Sequence, residues 1–366
     1  MTILNKLAES IIVKLQQYIA AQGFRPVMHF ELEGCYQKPD DVVVDYARIN
    51  QELARLDIDG EIVAEYWSNQ WEYVSKFNGQ SPLKEAQNLN NAIHILPSLF
   101  SAEGVNKTLI KPVVWAGDHG KLAFGCENIF SIDSRIVHIP NAVQINISLQ
   151  DENSNNVLVS GDFAERLQQQ LMYTSFACSL LYLPEEEAFE RLALKSKYGL
   201  AKELCSPVDI SGGHQGSIAL YRNIGKHNQK MGIEPLLVDD RNNVLLSKEN
   251  WHKTARIEHR LGASSIKYNP FLNIIYALLN IIDTLDGIGN SAKSQSGGLP
   301  DSLFDKNGNL GAITLFANND WFSRSIDRVL MASANDVPNE PVKAISDGKL
   351  LQQYYLEQFQ TTKIVF

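Results

Sequence analysis

The chain has 366 residues, of which 44% are hydrophobic and 20% are charged, as is typical of a globular protein with one large domain or two ordinary ones. Its formal net charge of −9 excludes a general electrostatic surface for nucleic acid or anionic lipid. The four cysteines show no disulfide or metal spacing, the N-terminal segment does not resemble a leader, and the longest apolar run is too short to span a bilayer. We therefore predict a cytoplasmic protein that contacts neither membrane nor nucleic acid.

Hydrophobic periodicity predicts the elements in chain order. Apolar residues at helical spacing over residues 3–21 end at Gly23, and alternation over residues 27–33 indicates a strand with one apolar and one polar face. Helices are then predicted over 41–57, 82–101, 162–182, 184–195 and 269–285, and strands over 61–66, 108–114, 142–149 and 256–261. We predict an α+β fold, with an antiparallel sheet that has a polar inner face and is backed by helices.

Glutamates on the predicted strands carry the main chemical signal. Glu31 and Glu33 lie two residues apart, so both side chains point to the polar face of their strand. The related charged residues on two later strands are Glu65, Glu72, Arg256, Glu258 and Arg260. Converging carboxylates repel one another unless a cation neutralises them, and Mg²⁺ takes oxygen ligands and bridges nucleotide phosphates. One such pair alone is more typical of a solvated strand, but the three strands together favour a functional site.

The longest motif reads Arg256-Ile-Glu258-His-Arg260-Leu, then Tyr268-Asn269-Pro270-Phe271-Leu272, and closes at Leu285-Asp286-Gly287-Ile288. It resembles the late catalytic signature of glutamine synthetases, an arginine–glutamate–arginine strand followed by Asn-Pro-Tyr-Leu and a helix that ends in Asp-Gly-Ile. Glu31-Leu-Glu33 is similar to the family's Glu-x-Glu strand, and the segment from Glu65 to Glu72 resembles its second carboxylate strand. The resemblance covers roughly residues 25 to 335.

The resemblance implies a fold and a division of the chain. Residues 1–24 would form an N-terminal helix, and residues 25–366 a glutamine synthetase-type catalytic domain with a curved antiparallel sheet. The family's small N-terminal β-grasp domain, which completes active sites between neighbouring subunits, has no counterpart in the sequence. We therefore expect a monomer or a small homo-oligomer.

The resemblance also implies ligands and site residues. It implies two or more Mg²⁺ or Mn²⁺ ions, with ATP as co-substrate. The implied ligands of one ion are Glu33, Glu65 and Glu72, and those of the second are Glu31 and Glu258. The implied ATP contacts are Ser148, Arg222, Lys253 and Arg256. The implied catalytic residues are Glu258 and Arg260, with Arg260 stabilising charge on the transferring phosphoryl group.

The chain departs from the family at several positions. The family's His-x-His-x-Ser-Leu strand reads Gln144-Ile-Asn146-Ile-Ser148-Leu149, as in the distantly related plant-type glutamate–cysteine ligases, and the Gln144 carbonyl can still ligate Mg²⁺. The glutamate-binding arginine corresponds to Gly199, the ammonium-site glutamate to Cys205, and a phosphate-side arginine to Ser217. The expected substrate pocket comprises Asn146, Gly199, Cys205 and His214. Without the charged flap residue, ammonium loses its stabilising partner.

The sequence thus predicts an ATP-dependent carboxylate–amine ligase that forms an amide, for example a γ-glutamyl amide, through an acyl phosphate. Its partners would be ATP, a small carboxylic acid such as glutamate or an analogue, and a small amine other than ammonia. Two alternatives remain open. One is a catalytically impaired pseudoenzyme that binds nucleotide or an amino acid in a regulatory role. The other is a phosphotransferase of the guanidino-kinase type, which would form ADP without an amide.

Overall fold

The computed structural model of the chain describes residues 2–65, 67, 69–76, 79–116, 137–197, 217–223, 225, 235–238, 244–246, 251–288, 299–334 and 346–360. The helices are α1 (Ile3–Ala21), α2 (Tyr46–Arg55), α3 (Pro82–Ala102), α4 (Phe163–Ala177), α5 (Ser179–Tyr182), α6 (Glu186–Lys197), α7 (Pro270–Leu285), α8 (Ala312–Asn318), α9 (Trp321–Ala334) and α10 (Asp347–Gln360). The strands are β1 (Phe24–Gln37), β2 (Gly60–Ala64), β3 (Gln70–Ser75), β4 (Lys107–Leu109), β5 (Val113–Ala116), β6 (Val137–Pro140), β7 (Ala142–Asp151), β8 (Ile218–Tyr221), β9 (Pro235–Val238), β10 (Val244–Leu246) and β11 (Arg256–Ala263).

The main sheet is antiparallel and has seven strands. Six of them follow the order β2-β3-β1-β7-β11-β8, and β4 pairs with the end of β1. β1 and β7 therefore lie at the centre, with β11 beside β7. Two smaller hairpins, β5–β6 and β9–β10, complete the described strands. The α+β prediction with an antiparallel sheet is confirmed.

Helices cover the apolar face of this sheet. Met28, Phe30 and Leu32 alternate along β1 and are fully buried, as the sequence pattern predicts. Helix α7 is buried almost all round, as expected for a helix without a polar face, and packs against α1, α3 and α4. Each fully buried large aliphatic side chain in this layer contributes about 1.5–3 kcal/mol. The helices therefore hold the rear of the sheet and leave its polar side chains on the other face.

Helix α1 shares this core. Its buried stripe, which includes Leu4, Ile11 and Ile19, belongs to the same hydrophobic cluster as the sheet and α7. The division of the chain into residues 1–24 and 25–366 stays a prediction. None of the helices in the described part of the chain combines the length and apolar character that a bilayer crossing requires.

Capping residues determine where helices α3 and α7 begin. Ser81 Oγ accepts a hydrogen bond from Lys84 N at 3.2 Å, and Pro82 occupies the first turn of α3. Asn269 Oδ1 accepts from Leu272 N at 3.2 Å at the start of α7, again with a proline in the first turn. Asn269 Nδ2 also donates to Asn5 Oδ1 at 3.0 Å, so the start of α7 is joined to α1.

The segment from Glu65 to Glu72 differs from the prediction. We expected both glutamates to flank the end of one strand, but Glu72 lies inside β3, which forms a hairpin with β2, and Glu65 lies at the hairpin turn. The extra strand forms because Trp71 and Tyr73 are fully buried on its apolar side. Trp71 also packs on Gly34, where a Cβ would approach the indole to 2.3 Å.

Two other predicted elements are divided. The strand expected over 108–114 is split into β4 and β5, because the intervening residues include Pro112, which has no N–H to donate. The helix expected over 162–182 is two helices, α4 and α5, separated at Cys178. Neither change moves the polar face of the sheet.

Candidate active site

Strand register brings the predicted glutamates onto one face. Directly paired residues of an antiparallel sheet project to the same side, with Cβ atoms about 4.5–5.5 Å apart. The paired residues are Glu33 with Glu72, Glu31 with Gln144, and Asn146 with Glu258. Four neighbouring strands, β3, β1, β7 and β11, thus contribute oxygen-bearing side chains to a common polar face. We call these six residues together with Arg256 and Arg260 the polar-face cluster.

Glu258 lies at the centre of the cluster, between two arginines. Its side chain is fully buried, with Arg256 Nη2 3.3 Å from Oε2 and Arg260 Nε 3.3 Å from Oε1. The arginine side chains are themselves only 15% and 12% exposed. A buried carboxylate without counter-charges would cost several kcal/mol, so the flanking guanidinium groups offset its desolvation. Two arginines and one glutamate give this stretch of β11 a net positive charge.

Asn146 links this positive region to the glutamates of β1. Its Oδ1 accepts from Arg256 Nε at 2.6 Å, and its Nδ2 donates to Glu31 Oε1 at 2.9 Å. The Arg256 guanidinium also lies over the Tyr221 ring, 4.8 Å from its centroid. Arg256 is therefore held by a carboxylate, an amide and an aromatic face, and together these contacts fix its orientation.

The opposite end of the cluster is held by backbone groups. Glu33 Oε2 accepts from Ala142 N at 2.7 Å, and Ser264 Oγ donates to Glu33 O at 2.6 Å. These bonds connect the end of β1 to the start of β7 and to the residue after β11. They hold the Glu33 carboxylate opposite Glu72.

Two residues that the sequence did not single out organise the turn that carries Glu65. Gln70 Oε1 accepts from Trp67 N at 3.3 Å, and Gln70 Nε2 donates to Asn141 Oδ1 at 3.0 Å. Asn141 is fully buried and donates from Nδ2 to Lys111 O at 3.0 Å. The sequence signal for Gln70 was its position as a polar residue between Glu65 and Glu72. The role of Asn141 had no such signal, because its partners Gln70 and Lys111 are distant in the sequence.

A divalent cation would find suitable donors beside Glu31. Gln144 Oε1 is buried and has no hydrogen-bond partner among the described residues, although it lies on the polar face directly opposite Glu31. A buried acceptor of this kind is costly unless a donor or a cation satisfies it. The residue types therefore fit Mg²⁺. In the same described ranges, however, no three His, Cys, Asp or Glu side chains gather into a metal-binding group.

The predicted ATP contacts are only partly brought together. Ser148 follows Asn146 on the same face of β7, and its Oγ lies 3.5 Å from Val27 O. Lys253 is exposed in a short 3₁₀ helix, Trp251–Thr254, just before β11. These two positions flank Arg256 along the chain and across the sheet.

Arg222 is not brought to the polar-face cluster. It binds the start of α4, where its Nη1 donates to Glu165 Oε2 at 3.0 Å and to Gly161 O at 3.2 Å, and its Nη2 also contacts Glu165. Its contact with ATP stays a prediction. The expected pocket residues Gly199, Cys205 and His214 lie outside the described residues.

His259 lies behind the cluster, on the helix-covered face of β11. Burial lowers the pKa of its imidazole to about 3, so the ring is neutral near pH 7. Ser175 Oγ on α4 is 3.0 Å from His259 Nε2, and the Tyr182 ring makes an edge contact at 4.8 Å between centroids. The ring is therefore part of the core rather than a titrating member of the polar face.

Comparison with solved structures shows which known fold the chain shares. No protein-family model and no curated protein matches the sequence. Among solved structures, a novel glutamine synthase homologue matches with a TM-score of 0.57 and 13% identity, over 95% of this chain and 74% of its own. GmaS without ligand matches with a TM-score of 0.60 and 11% identity, over 98% and 74%. The Plasmodium falciparum glutamine synthetase matches with a TM-score of 0.56 and 12% identity, over 98% and 77%.

These matches agree on one architecture. The chain has the α+β fold of a glutamine synthetase-like catalytic domain, and the predicted resemblance is confirmed at the level of fold. Identities of 11–13% do not extend the likeness to substrates or to individual residues.

Proposed function

We propose that the chain is an ATP-dependent carboxylate–amine ligase. The observation that carries this proposal is the buried Glu258 between Arg256 and Arg260, on a face shared with Glu31 and Glu33. Phosphoryl transfer is catalysed mainly by fixed positive charge placed where negative charge spreads over the transferring oxygens. GmaS, which has a similar fold, has been solved as a complex with ADP, and this supports nucleotide binding by the chain.

Three residues of the polar-face cluster would have different roles in phosphoryl transfer from ATP. Arg256, held by Asn146 and Tyr221, would bind a phosphate oxygen of ATP, and Arg260 would stabilise the phosphoryl group in transfer. Glu258 keeps both guanidinium groups in place. Because these contacts are made by side chains of the chain itself, little reorganisation is needed when charge develops.

Metal ions would complete the charge balance of the site. Glu31 and Gln144, with Glu258, are the residues that would hold one Mg²⁺ or Mn²⁺, and Glu33, Glu65 and Glu72 are those that would hold a second. When bound, such ions neutralise phosphate oxygens and orient them. The buried Gln144 Oε1 supports the first of these sites.

The reaction proposed has two steps. An oxygen of the substrate carboxylate attacks the γ-phosphorus of ATP, and the bond to ADP breaks, which gives an acyl phosphate. The amine nitrogen then attacks the acyl carbon, phosphate leaves with the original carboxylate oxygen, and the nitrogen loses a proton. Cys205 and Gly199, at positions where the family carries charge, support an amine larger than ammonia and an acid such as glutamate or an analogue.

A paired product screen tests the proposal. Purified protein is incubated with Mg·ATP and pools of small acids and amines, and both ADP and new amides are measured, the latter by mass spectrometry. We expect an amide and ADP in equal amounts from the wild type, none from Arg260→Gln, and wild-type yields from Arg25→Gln. Arg25 is an exposed arginine on β1 that donates to Gln150 and so serves as the matched control. ADP formation without any amide would instead indicate a phosphotransferase.

A non-catalytic, nucleotide-binding role is the second candidate. The observation that favours it is the absence, among the residues that the structure describes, of a metal-binding group of three acidic, histidine or cysteine side chains. A binding protein of this kind would take ATP through Arg256 and Arg260 with equal affinity in Mg²⁺ and in EDTA. The ligase requires tighter binding in Mg²⁺, so calorimetric titration in the two buffers separates the candidates.

A further inference from the structure

The strand that carries the two arginines is interrupted by a β-bulge at Arg260. His259 pairs with Ile145 of β7, but the next pair joins Gly262 to Val143, so Arg260 and Leu261 both stand opposite a single residue. That residue is Gln144, whose side chain belongs to the polar-face cluster. A bulge bends its strand and changes the direction of the side chains it carries. The direction of Arg260 therefore depends on how the bulge is held.

Two hydrogen bonds and one close approach between backbones hold the bulge. Arg260 N donates to the backbone oxygen of Ser217, the residue just before β8, at 2.9 Å. Arg191 of α6, whose residue is only 1% exposed, donates from Nη1 to Leu261 O at 3.4 Å. Gly262 returns the strand to register where a Cβ would lie 2.4 Å from Val143 O, so an added side chain would clash with that carbonyl group. The bulge is thus fixed on both flanks and at its end.

The residue just before the bulge is held from the rear by a hydrogen bond. His259 Nε2 lies 3.0 Å from Ser175 Oγ, and its ring makes edge contacts with Tyr182 and Tyr276, with centroids 4.8 and 5.9 Å apart. Ser175 is itself anchored, because its Oγ is 2.6 Å from Leu171 O in the preceding turn of α4. A rigid helix therefore determines the position of His259, and the chain between His259 and Arg260 is a single peptide unit.

We propose that His259 is a positioning residue, whose hydrogen bond to Ser175 fixes the bulge and thereby sets the direction of the Arg260 guanidinium on the opposite face of the sheet. The Arg260 side chain lies on that face with Nε 3.3 Å from Glu258 Oε1. The geometrical part of this inference stands alone, and its consequence for turnover rests on the proposed ligase function. A shift of about 1 Å in a positioned group can cost on the order of a hundred-fold in rate.

Arginine side-chain NMR tests the geometry without any substrate. The Nε–Hε signal of Arg260 is assigned by its loss in Arg260→Lys and then compared between wild type, His259→Phe and Ser175→Ala. Ser323→Ala is the matched control, because Ser323 is a buried serine of α9 whose Oγ donates to Asp320 O at 3.3 Å, away from His259 and its ring contacts. We expect both test variants to shift or broaden the Arg260 signal, and the control to leave it unchanged. The double variant with His259→Phe and Ser175→Ala should change the Arg260 signal little more than either single change, because both changes remove the hydrogen bond between His259 and Ser175.

The outcomes separate this inference from the proposed function. An unchanged Arg260 signal in folded Ser175→Ala, the smaller of the two changes, overturns the positioning role whatever the enzyme does. If the wild type forms an amide, His259→Phe should lower kcat on the order of ten- to a hundred-fold and change KM for ATP less than about threefold. A fall in kcat in His259→Phe and Ser175→Ala that Ser323→Ala matches would show a general loss of stability and would also overturn the inference. If no amide forms, the NMR result still decides the geometry.

Discussion

Neutralising Glu258 should destabilise the protein even when no metal or nucleotide is present. In Glu258→Gln the side chain keeps its size, but one carboxylate oxygen becomes an amide donor that faces an arginine donor 3.3 Å away. Breaking a buried ion pair at one partner costs about 3–5 kcal/mol. Because Arg256 retains Asn146 and Tyr221, and both arginines keep slight exposure, we expect a loss of about 2–4 kcal/mol.

The assay is equilibrium unfolding in urea with EDTA. Glu33→Gln is the matched control, since Glu33 shares the polar face and accepts from Ala142 N, a bond that Gln Oε1 can reproduce. Its free energy of unfolding should lie within about 1 kcal/mol of the wild type. Refutation would come from a Glu258→Gln protein as stable as the wild type, or more so. That result would mean that Glu258 is dominated by repulsion from the other glutamates, as in a site that needs a cation to fold.

Three further predictions concern the packing around the site. Gly262→Ala should cost about 2–3 kcal/mol in urea unfolding, because the new methyl group meets the Val143 carbonyl; an unchanged value would exclude the close approach. Burial lowers the pKa of His259 to about 3 from 6.5, so its stabilising contribution is complete above pH 6.5 and is lost as the pH falls toward 3. Between pH 7 and pH 5 the wild type should lose about 2 kcal/mol through this residue, a loss that His259→Phe lacks; parallel stability curves would contradict it. Burial raises the pKa of the Cys178 thiol, so a variant with this cysteine alone should react with a thiol reagent only as fast as it unfolds; rapid labelling of the folded protein would disprove its burial.

Much of the fold follows from local patterns. Alternation along β1 indicated which side chains face the helices, and the cap at Asn269 with its proline located the start of α7. The continuous apolar run of α7 indicated a fully buried helix. These signals are local because a strand alternates every second residue and a helix begins where its first N–H groups find a partner.

Other features depend on contacts between distant segments. β3 was missed because its apolar side is formed by Trp71 and Tyr73, whose burial needs Gly34 and Leu32 on β1 as partners. The bulge in β11 arises from pairing with β7. No pattern within a single strand shows such a mismatch.

The site was predictable in its residue types and less so in its contacts. The register places Glu31, Glu33 and Glu258 on one face, whereas alternation predicts only which side chains share a face within each strand. The direction of Arg222 toward Glu165 was not predictable, because Arg222 follows the last residue of a short strand, where alternation no longer fixes the side of a side chain. Asn141, which ties the Lys111 segment to Gln70, was missed for the same reason as β3.

Transfer of oxygen from the substrate carboxylate to phosphate is the most direct test of the proposed function. Glutamate and other acids labelled with ¹⁸O in the carboxylate are incubated with the protein, Mg·ATP and a panel of small amines, and the released phosphate is analysed by mass spectrometry. The ligase account predicts one ¹⁸O in each phosphate, formed together with an amide and lost in Arg260→Gln. Unlabelled phosphate, or ADP formation that is independent of the acid, would contradict activation of a carboxylate at the polar-face cluster.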